Sequence, residues 1–458
     1  MRIPFLSEAS ALRIATAGAV LLGLLGGALA ERRPGIALVL CVVVAAVLAV
    51  AMLGDRAFAW ALVLVAVAPW YPFIAEAAEA PVVRQKVLCA AIAAAPLLPW
   101  LWSLAQGGRR TRPGRGALLM GVLYAGMAIL IYVTLGSVSA MIGSGIVGFL
   151  FAGVTFLCAR RFGAGRGWSG AAFCGLLALC AMGADAYLRA PAQRVGYFAG
   201  YPITYGALVV GLLPLALLFA HRRSRLLAAG LAAGAAAVLI FSESRSSWVA
   251  AAVILIVVVL LQARAGNVRA LGGLAAVLVI LATLILGTGS LHRIVEQKLS
   301  ARVQTTSSVT HRLWSYGYAV ETIGRQPLFG AGAPGFSARE SNNKTSIGAI
   351  DNGYLSIAVD MGLVGLIAAL IPIAIALRVI ARCLRFGLTP QYELAFALGI
   401  LGMAVVTLFY DSFYWAQIDL LLGAMGGLLS TRLALIARPE AERVRRSAPR
   451  LAGVRLAS

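Results

Sequence analysis

The sequence predicts an all-α, polytopic integral membrane protein of about 12–14 transmembrane helices. Three observations carry that prediction. Apolar residues make up 61% of the 458, charged residues only 12%, and mean hydropathy is +0.90, whereas a soluble domain would be roughly 25% charged. The apolar runs are continuous over about 20 residues and do not alternate with period two, which argues against a β-barrel. Finally, the arginines sit in short clusters between those runs, as a topology signal does. The net charge of +22 is therefore a membrane feature and points to no nucleic acid.

Taken in order, the apolar runs fall at about 12–30, 36–53, 58–75, 87–106, 117–135, 138–158, 169–186, 205–220, 226–241, 248–263, 270–288, 354–380, 394–409 and 419–435. Arg2 and Arg13 precede a first run ending Ala28-Leu29-Ala30, which resembles a signal-peptide cleavage site. That run is long enough to span and a second follows closely, so it reads as a retained helix. Prolines 69, 96, 99, 214 and 372 lie inside spans and are expected to kink them. Cysteines 41, 89, 158, 174, 180 and 383 lie within or at the ends of apolar runs without a C-x-x-C pair. They indicate neither a disulfide framework nor a metal site.

Orientation follows from alternate connections. Arg109 to Arg115, Arg160 to Arg166, Arg222 to Arg225, Arg264 and Arg269, Arg378 to Arg385 and the tail 437–458 form the basic set, which is cytoplasmic by the positive-inside rule. Arg32 and Arg33 break the pattern on the other side. Both termini are then inside. Residues 1–288 form spans with short loops, 289–352 a large periplasmic loop, 353–436 further spans, and 437–458 a basic cytoplasmic tail.

The long polar stretch 289–352 carries His292, Arg293, Lys298, Arg302, His311, Arg312 and Arg325. A helix fits about 309–325, with Leu313, Tyr316, Val320 and Ile323 on one face and Trp314 and Tyr318 on its flank. That pattern suits an amphipathic helix on the outer membrane surface. Pro327 and the glycines at 330, 332 and 335 then force a loop. Gly330-Ala-Gly-Ala-Pro-Gly335 lacks the lysine and Ser/Thr of a P-loop, and reads as a tight turn.

Candidate chemistry lies on the outer face. Arg189 and Arg194 precede Tyr201-Pro202, and Arg245 sits in Ser242-Glu-Ser-Arg-Ser-Ser-Trp248, between two spans. Arginine suits a phosphate through its planar fork and permanent charge. The alternative is that each snorkels to headgroups or pairs with Glu243 or Asp185. Arg245, with Ser242, Ser244, Ser246 and Ser247 around it, is the strongest case. From spacing alone Asp351 has two readings. It is a general base at a half-desolvated boundary, or else Asp351 or Asn352 caps the helix that starts near Tyr354. His292 and His311 are other candidate bases, and Asp360 and Asp411 candidate partners of arginine.

Four pieces in this order resemble a known family: Arg194-Val-Gly…Pro202, Ser244-Arg-Ser-Ser-Trp248, Arg312-Leu-Trp…Gln326-Pro-Leu-Phe-Gly-Ala-Gly332, and Asp351-Asn-Gly-Tyr-Leu…Met361-Gly-Leu-Val-Gly365. The set is similar to the O-antigen ligase and Wzy-type polymerase superfamily over about residues 185–370. The resemblance implies a membrane glycosyltransferase of the GT-C type that joins glycan units carried on undecaprenyl diphosphate. It further implies a glycan or lipid acceptor, membrane lipid and other polysaccharide-assembly membrane proteins as partners, and neither metal nor other cofactor. By position, Arg194, Arg245 and Arg312 would hold the diphosphate, and Asp351 would be the base. Many ligases have His-Asn where this chain has Asp351-Asn352, which shifts the expectation from ligase toward polymerase. A transporter or lipid-linked oligosaccharide flippase is the rival of another class, although no repeated halves are visible.

Overall fold

A computed structural model describes short pieces within 59–67 and 152–159, and residues 167–190, 194–196, 201–264, 266, 306–331, 350–386, 391–411, 413 and 415–447. Among these residues the chain is helical and contains no strand. We number the helices α1 (Trp168–Arg189), α2 (Pro202–Arg223), α3 (Arg225–Ser242), α4 (Arg245–Arg264), α5 (Thr306–Arg325), α6 (Gly353–Phe386), α7 (Gln391–Thr407) and α8 (Ala416–Ser447). Helices α1–α4 and α6 are long and apolar enough to cross a membrane; α7 is shorter, and α8 carries Asp419 and Arg432 within its apolar stretch. The expected spans at 169–186, 205–220, 226–241, 248–263, 354–380, 394–409 and 419–435 correspond to α1–α4 and α6–α8. The expected spans at 12–30, 36–53, 87–106, 117–135 and 270–288 lie outside the described residues.

Among the described helices α2 is the most enclosed. In its apolar window 67% of residues are buried, against 28–33% in the other four. It packs on α1, α3 and α7 and also touches α4 and α8. Close approach rests on small residues, as expected where lipid removes the hydrophobic drive between helices. A Cβ on Gly399 of α7 would meet the Gly211 carbonyl of α2 at 2.4 Å, and one on Gly402 would meet Ile254 of α4 at 2.7 Å. The periphery is apolar: Ile256, Leu260 and Ile367 are all more than half exposed, as lipid contact requires.

The connections sort to two opposite ends. At one, Arg222 donates to Tyr392 Oη (2.8 Å) and Gln391 Oε1 (2.9 Å), while Arg432 pairs with Glu393 at 2.7 Å. At the other lie Arg194, the α3–α4 turn, the start of α6 and residues 408–415. Helix α6 is broken near that second end, with non-helical φ/ψ (66°, −163°) at Gly362 rather than at Pro372. Residues 363–386 alone are long enough, at about 1.5 Å per residue, to cross a hydrocarbon core of roughly 30 Å.

The close α2–α7 contact has a direct consequence. Gly399→Val should lower the unfolding temperature in detergent, at a cost of about 1–3 kcal/mol or more from overpacking. Gly230→Ala, where a Cβ meets nothing within 4 Å, should leave it unchanged or slightly raised.

Candidate functional site

The turn between α3 and α4 is built by four consecutive residues. Ser242 ends α3, Glu243 adopts the left-handed region (φ 53°), Ser244 precedes α4, and Arg245 is its first residue. A left-handed non-glycine residue costs roughly 1–2 kcal/mol, so the turn needs support. Arg194 supplies it. Its Nε donates to the Ser242 carbonyl and its Nη2 to that of Glu243, both at 3.2 Å, and Nε lies 3.9 Å from the Glu243 carboxylate. These are carbonyls that a helix end leaves without intrahelical partners. Val195 N reinforces the junction by donating to Phe241 O.

The serines complete the turn from inside. Ser242 Oγ donates to Leu239 O, Ser244 N donates to Ser242 Oγ, and the Ser244 and Ser247 hydroxyls lie 2.7 Å apart. Trp248 Nε1 donates to Leu239 O at 2.7 Å. Helix α2 presses against this face, since a Cβ on Gly206 would meet Ser247 Oγ at 2.2 Å. The two arginines therefore have different surroundings. Arg194 has only 16% of its side chain exposed and grips the turn; Arg245 is exposed at the start of α4, where Ser247 N and Trp248 N donate to Ser244 O. Positive dipole and guanidinium together make that corner attractive to an anion. Arg189, by contrast, pairs with Asp185 at 2.9 Å in the exposed manner the sequence allowed.

The second half of the site comes from α5, its following loop and α6. Helix α5 forms three residues earlier than the expected 309–325. Its buried stripe also differs: Ser315 and Ala319 are fully buried, with Tyr316 and Ile323 beside them, while Val320 is 65% exposed. Ala319 packs with Ile350 and Val359, so described residues of α5 rest on the start of α6. After α5 the loop enters the α6 break. Leu363 N donates to Pro327 O (2.8 Å), Val364 N to Leu328 O (3.3 Å), and Ala331 N to Val359 O (2.7 Å). Gly330 and Gly362 both have positive φ, and a Cβ on either would sit within 2.6 Å of the opposing backbone.

Asp351 stands at the head of that broken helix. Asn352 is the cap, its Oδ1 accepting from Tyr354 N (3.0 Å) and Leu355 N (3.1 Å). The capping role is thus filled by Asn352, and the half-buried Asp351 is placed by its backbone, whose carbonyl accepts from Tyr316 Oη at 3.1 Å. Gly353 N donates to Tyr410 O, and Ser356 Oγ donates to the buried Asp411 at 2.8 Å. Burial pushes the Tyr410 phenol well above the ordinary tyrosine range, opposed in part by the hydrogen bond that Trp415 Nε1 donates to it.

The structure brings Arg194, Arg245 and Asp351 to the same end of the bundle. The link is aromatic: Tyr201, at the start of α2, stacks on Tyr410 with centroids 5.7 Å apart and planes within 8°. Sequence reasoning gave Tyr201, Tyr316 and Tyr410 no role at the site, although Phe409-Tyr-Asp-Ser-Phe-Tyr-Trp415 between two spans was a visible aromatic cluster. Arg312 lies on α5 one turn before Tyr316, with its side chain outside the described residues, as is that of His311; His292 lies outside them entirely. Among the described residues no three metal-ligating side chains cluster, and Cys174, Cys180 and Cys383 are free thiols.

Fold and site together define a multi-pass helical membrane protein with a polar, arginine- and carboxylate-bearing end. Residues 230–370 match the family model of the O-antigen ligase, Wzy_C, a stretch that contains the α3–α4 turn, α5, the docked loop, Asp351 and the α6 break. The match covers less than a third of the chain; over that stretch the chain is similar to the O-antigen ligase and Wzy-type superfamily, and the match supports a membrane enzyme of the ligase and polymerase type. No curated protein matches the chain. Arg194 precedes the matched stretch, and its connection to the site rests on its bonds to Ser242 and Glu243.

The loop docking is testable on its own. Gly362→Ala places a Cβ 2.3 Å from the Leu328 carbonyl carbon at a left-handed φ. It should speed tryptic cleavage after the exposed Arg325 and lower the unfolding temperature. An unchanged cleavage rate would mean that the loop is held without the break.

Proposed function

We propose that the protein is a glycosyltransferase of bacterial surface-polysaccharide assembly, acting as a polymerase on glycan units carried by undecaprenyl diphosphate. The observation that carries this reading is the placement of Arg245. It is an exposed guanidinium at a helix N-terminus, on a turn gripped by Arg194, at the same end of the bundle as Asp351. Arg222 and Arg432 mark the opposite end. With the basic connections cytoplasmic, the Arg245 end faces the periplasm of the inner membrane.

The chemistry follows from charge. Asp351 takes the proton of the acceptor hydroxyl, and that oxygen attacks the anomeric carbon of the donor sugar. The bond from that carbon to the diphosphate breaks, and its electron pair leaves with the lipid diphosphate. Negative charge therefore grows on the leaving group, where Arg245 and the α4 N-terminus are already in place. Arg194 contributes its charge while fixing the turn, and Arg312 completes the set from α5. This is an in-line, inverting transfer of the GT-C kind, with the positive charge for the leaving group drawn from the chain itself.

A second reading has its own support, because the matching family model is named for the O-antigen ligase. There the completed glycan passes to a lipid or protein acceptor instead of to another unit. The glycan profile of cells lacking the protein separates the two: single repeat units left on the carrier for a polymerase, long unligated chains for a ligase.

For either reading, Arg245→Ala should lower transfer by about 10²–10³-fold, the cost of losing one donor to a developing anion. Asp351→Asn should lower it by about 10²–10⁴-fold, the range of a lost general base. Both variants should keep normal membrane levels. Normal glycan length and amount in both would contradict the site.

A further inference from the structure

The segment 353–361 stops at the α6 break, short of the roughly 12–15 residues at which an isolated helix becomes stable. Its place is set by sideways links to the end of α7 and the segment after it. Tyr354 Oη donates to Ala404 O at 3.0 Å, and Gly353 N to Tyr410 O at 3.2 Å. Ser356 Oγ donates to Asp411 Oδ2 at 2.8 Å. The first two acceptors are backbone carbonyls, which any residue at 404 or 410 would supply. The third link joins two side chains, and its acceptor is a buried carboxylate, 9% exposed.

A carboxylate is a costly way to hold two segments together. Burial removes water from it, and Asp360, one turn beyond Ser356, lies near enough for like charges to interact. In return, an ionised acceptor makes a shorter and stronger hydrogen bond than a neutral one. The gain is rigidity at Ser356. From there the path to the helix head is one backbone bond, since Ser356 N donates to Asn352 O at 2.9 Å. Asn352 is the cap, and Asp351 is the residue before it. A shift of Ser356 therefore moves Asp351, and misplacing a reacting group by about 1 Å can cost about 10²-fold in rate.

We propose that Asp411, acting through Ser356, is a positioning residue for transfer, holding the short helix 353–361 so that Asp351 at its head meets the acceptor hydroxyl. This rests on the reading of Asp351 as the base. Neither Ser356 nor Asp411 needs to touch substrate.

The test is the transfer assay on the full chain in nanodiscs, with lipid-linked glycan from cells lacking the protein as substrate. Ser356→Ala and Asp411→Ala should each lower kcat by about 10–10²-fold with KM within about twofold. The double variant should be no worse than the weaker single one, because both remove the same link. Asp411→Asn and Ser356→Thr keep an acceptor and a hydroxyl, and should recover most of the loss. In an Asp351→Asn background, Ser356→Ala should leave the residual rate where it is, since placing a lost base gains nothing. Wild-type kcat in Ser356→Ala, with Asp351→Asn impaired, would overturn the positioning role alone. So would losses that multiply in the double variant, or a further fall in the Asp351→Asn background, which would mark the pair as a purely structural link. Wild-type kcat in Asp351→Asn would instead overturn the base reading, and the positioning role with it.

Discussion

The break in α6 is the constraint on which the polar end of the molecule depends. A helix interrupted near lipid leaves N–H and C=O groups that must find partners within the protein. Here the loop after α5 provides them, with Pro327 and Leu328 accepting from Leu363 and Val364, and Ala331 donating to Val359. Only glycine fits at 330 and 362, where two backbones meet at positive φ. The consequence reaches the site. The segment 353–361 is no longer a mere continuation of its span; it is a short helix clamped between α5 and α7, with Asp351 at its head. Tyr316, Asn352 and Tyr410 then settle where that head sits.

The second dependence runs through α2. Its enclosed position lets one helix start touch the α3–α4 turn through Gly206 and the 408–415 segment through Tyr201. Arginine-bearing and carboxylate-bearing segments far apart in sequence thus meet at one end without a globular domain to carry them. The division between the two arginines follows from local geometry. A left-handed Glu243 needs its neighbouring carbonyls tied, Arg194 ties them, and Arg245 is left pointing outward from the helix start. Fixing a charge in advance of reaction is the economical way to stabilise a leaving anion, since no reorganisation is needed when charge appears.

Much of the scaffold was legible because long apolar runs admit few alternatives in a bilayer. Helix ends were less so: Pro202 starts α2 three residues before its apolar run, and Arg222 and Arg223 extend the other end, because polar residues can finish a helix as it leaves the lipid. The buried face of α5 was misread because hydropathy counted Val320 and overlooked Ser315 and Ala319, whose small size is what permits close contact. Gly362 looked like any other glycine of a membrane span. What sets it apart is a partner loop more than 30 residues earlier, and local pattern carries no such information. The same limit hid the difference between Arg194 and Arg245, since the contacts that separate them cross 48 and 49 positions. The choice between Asp351 and Asn352 as the cap could only be made from geometry.

The central claim is that this end of the bundle forms a glycosidic bond, in contrast to a transporter, which would move its substrate through. Purified protein in liposomes, supplied with the lipid-linked glycan from cells that lack it, tests this directly by mass spectrometry of the products. The account predicts longer lipid-linked glycans together with an equal amount of undecaprenyl diphosphate stripped of sugar. Transfer of the lipid-linked glycan from one leaflet to the other, with no new bond and no free carrier, would contradict it.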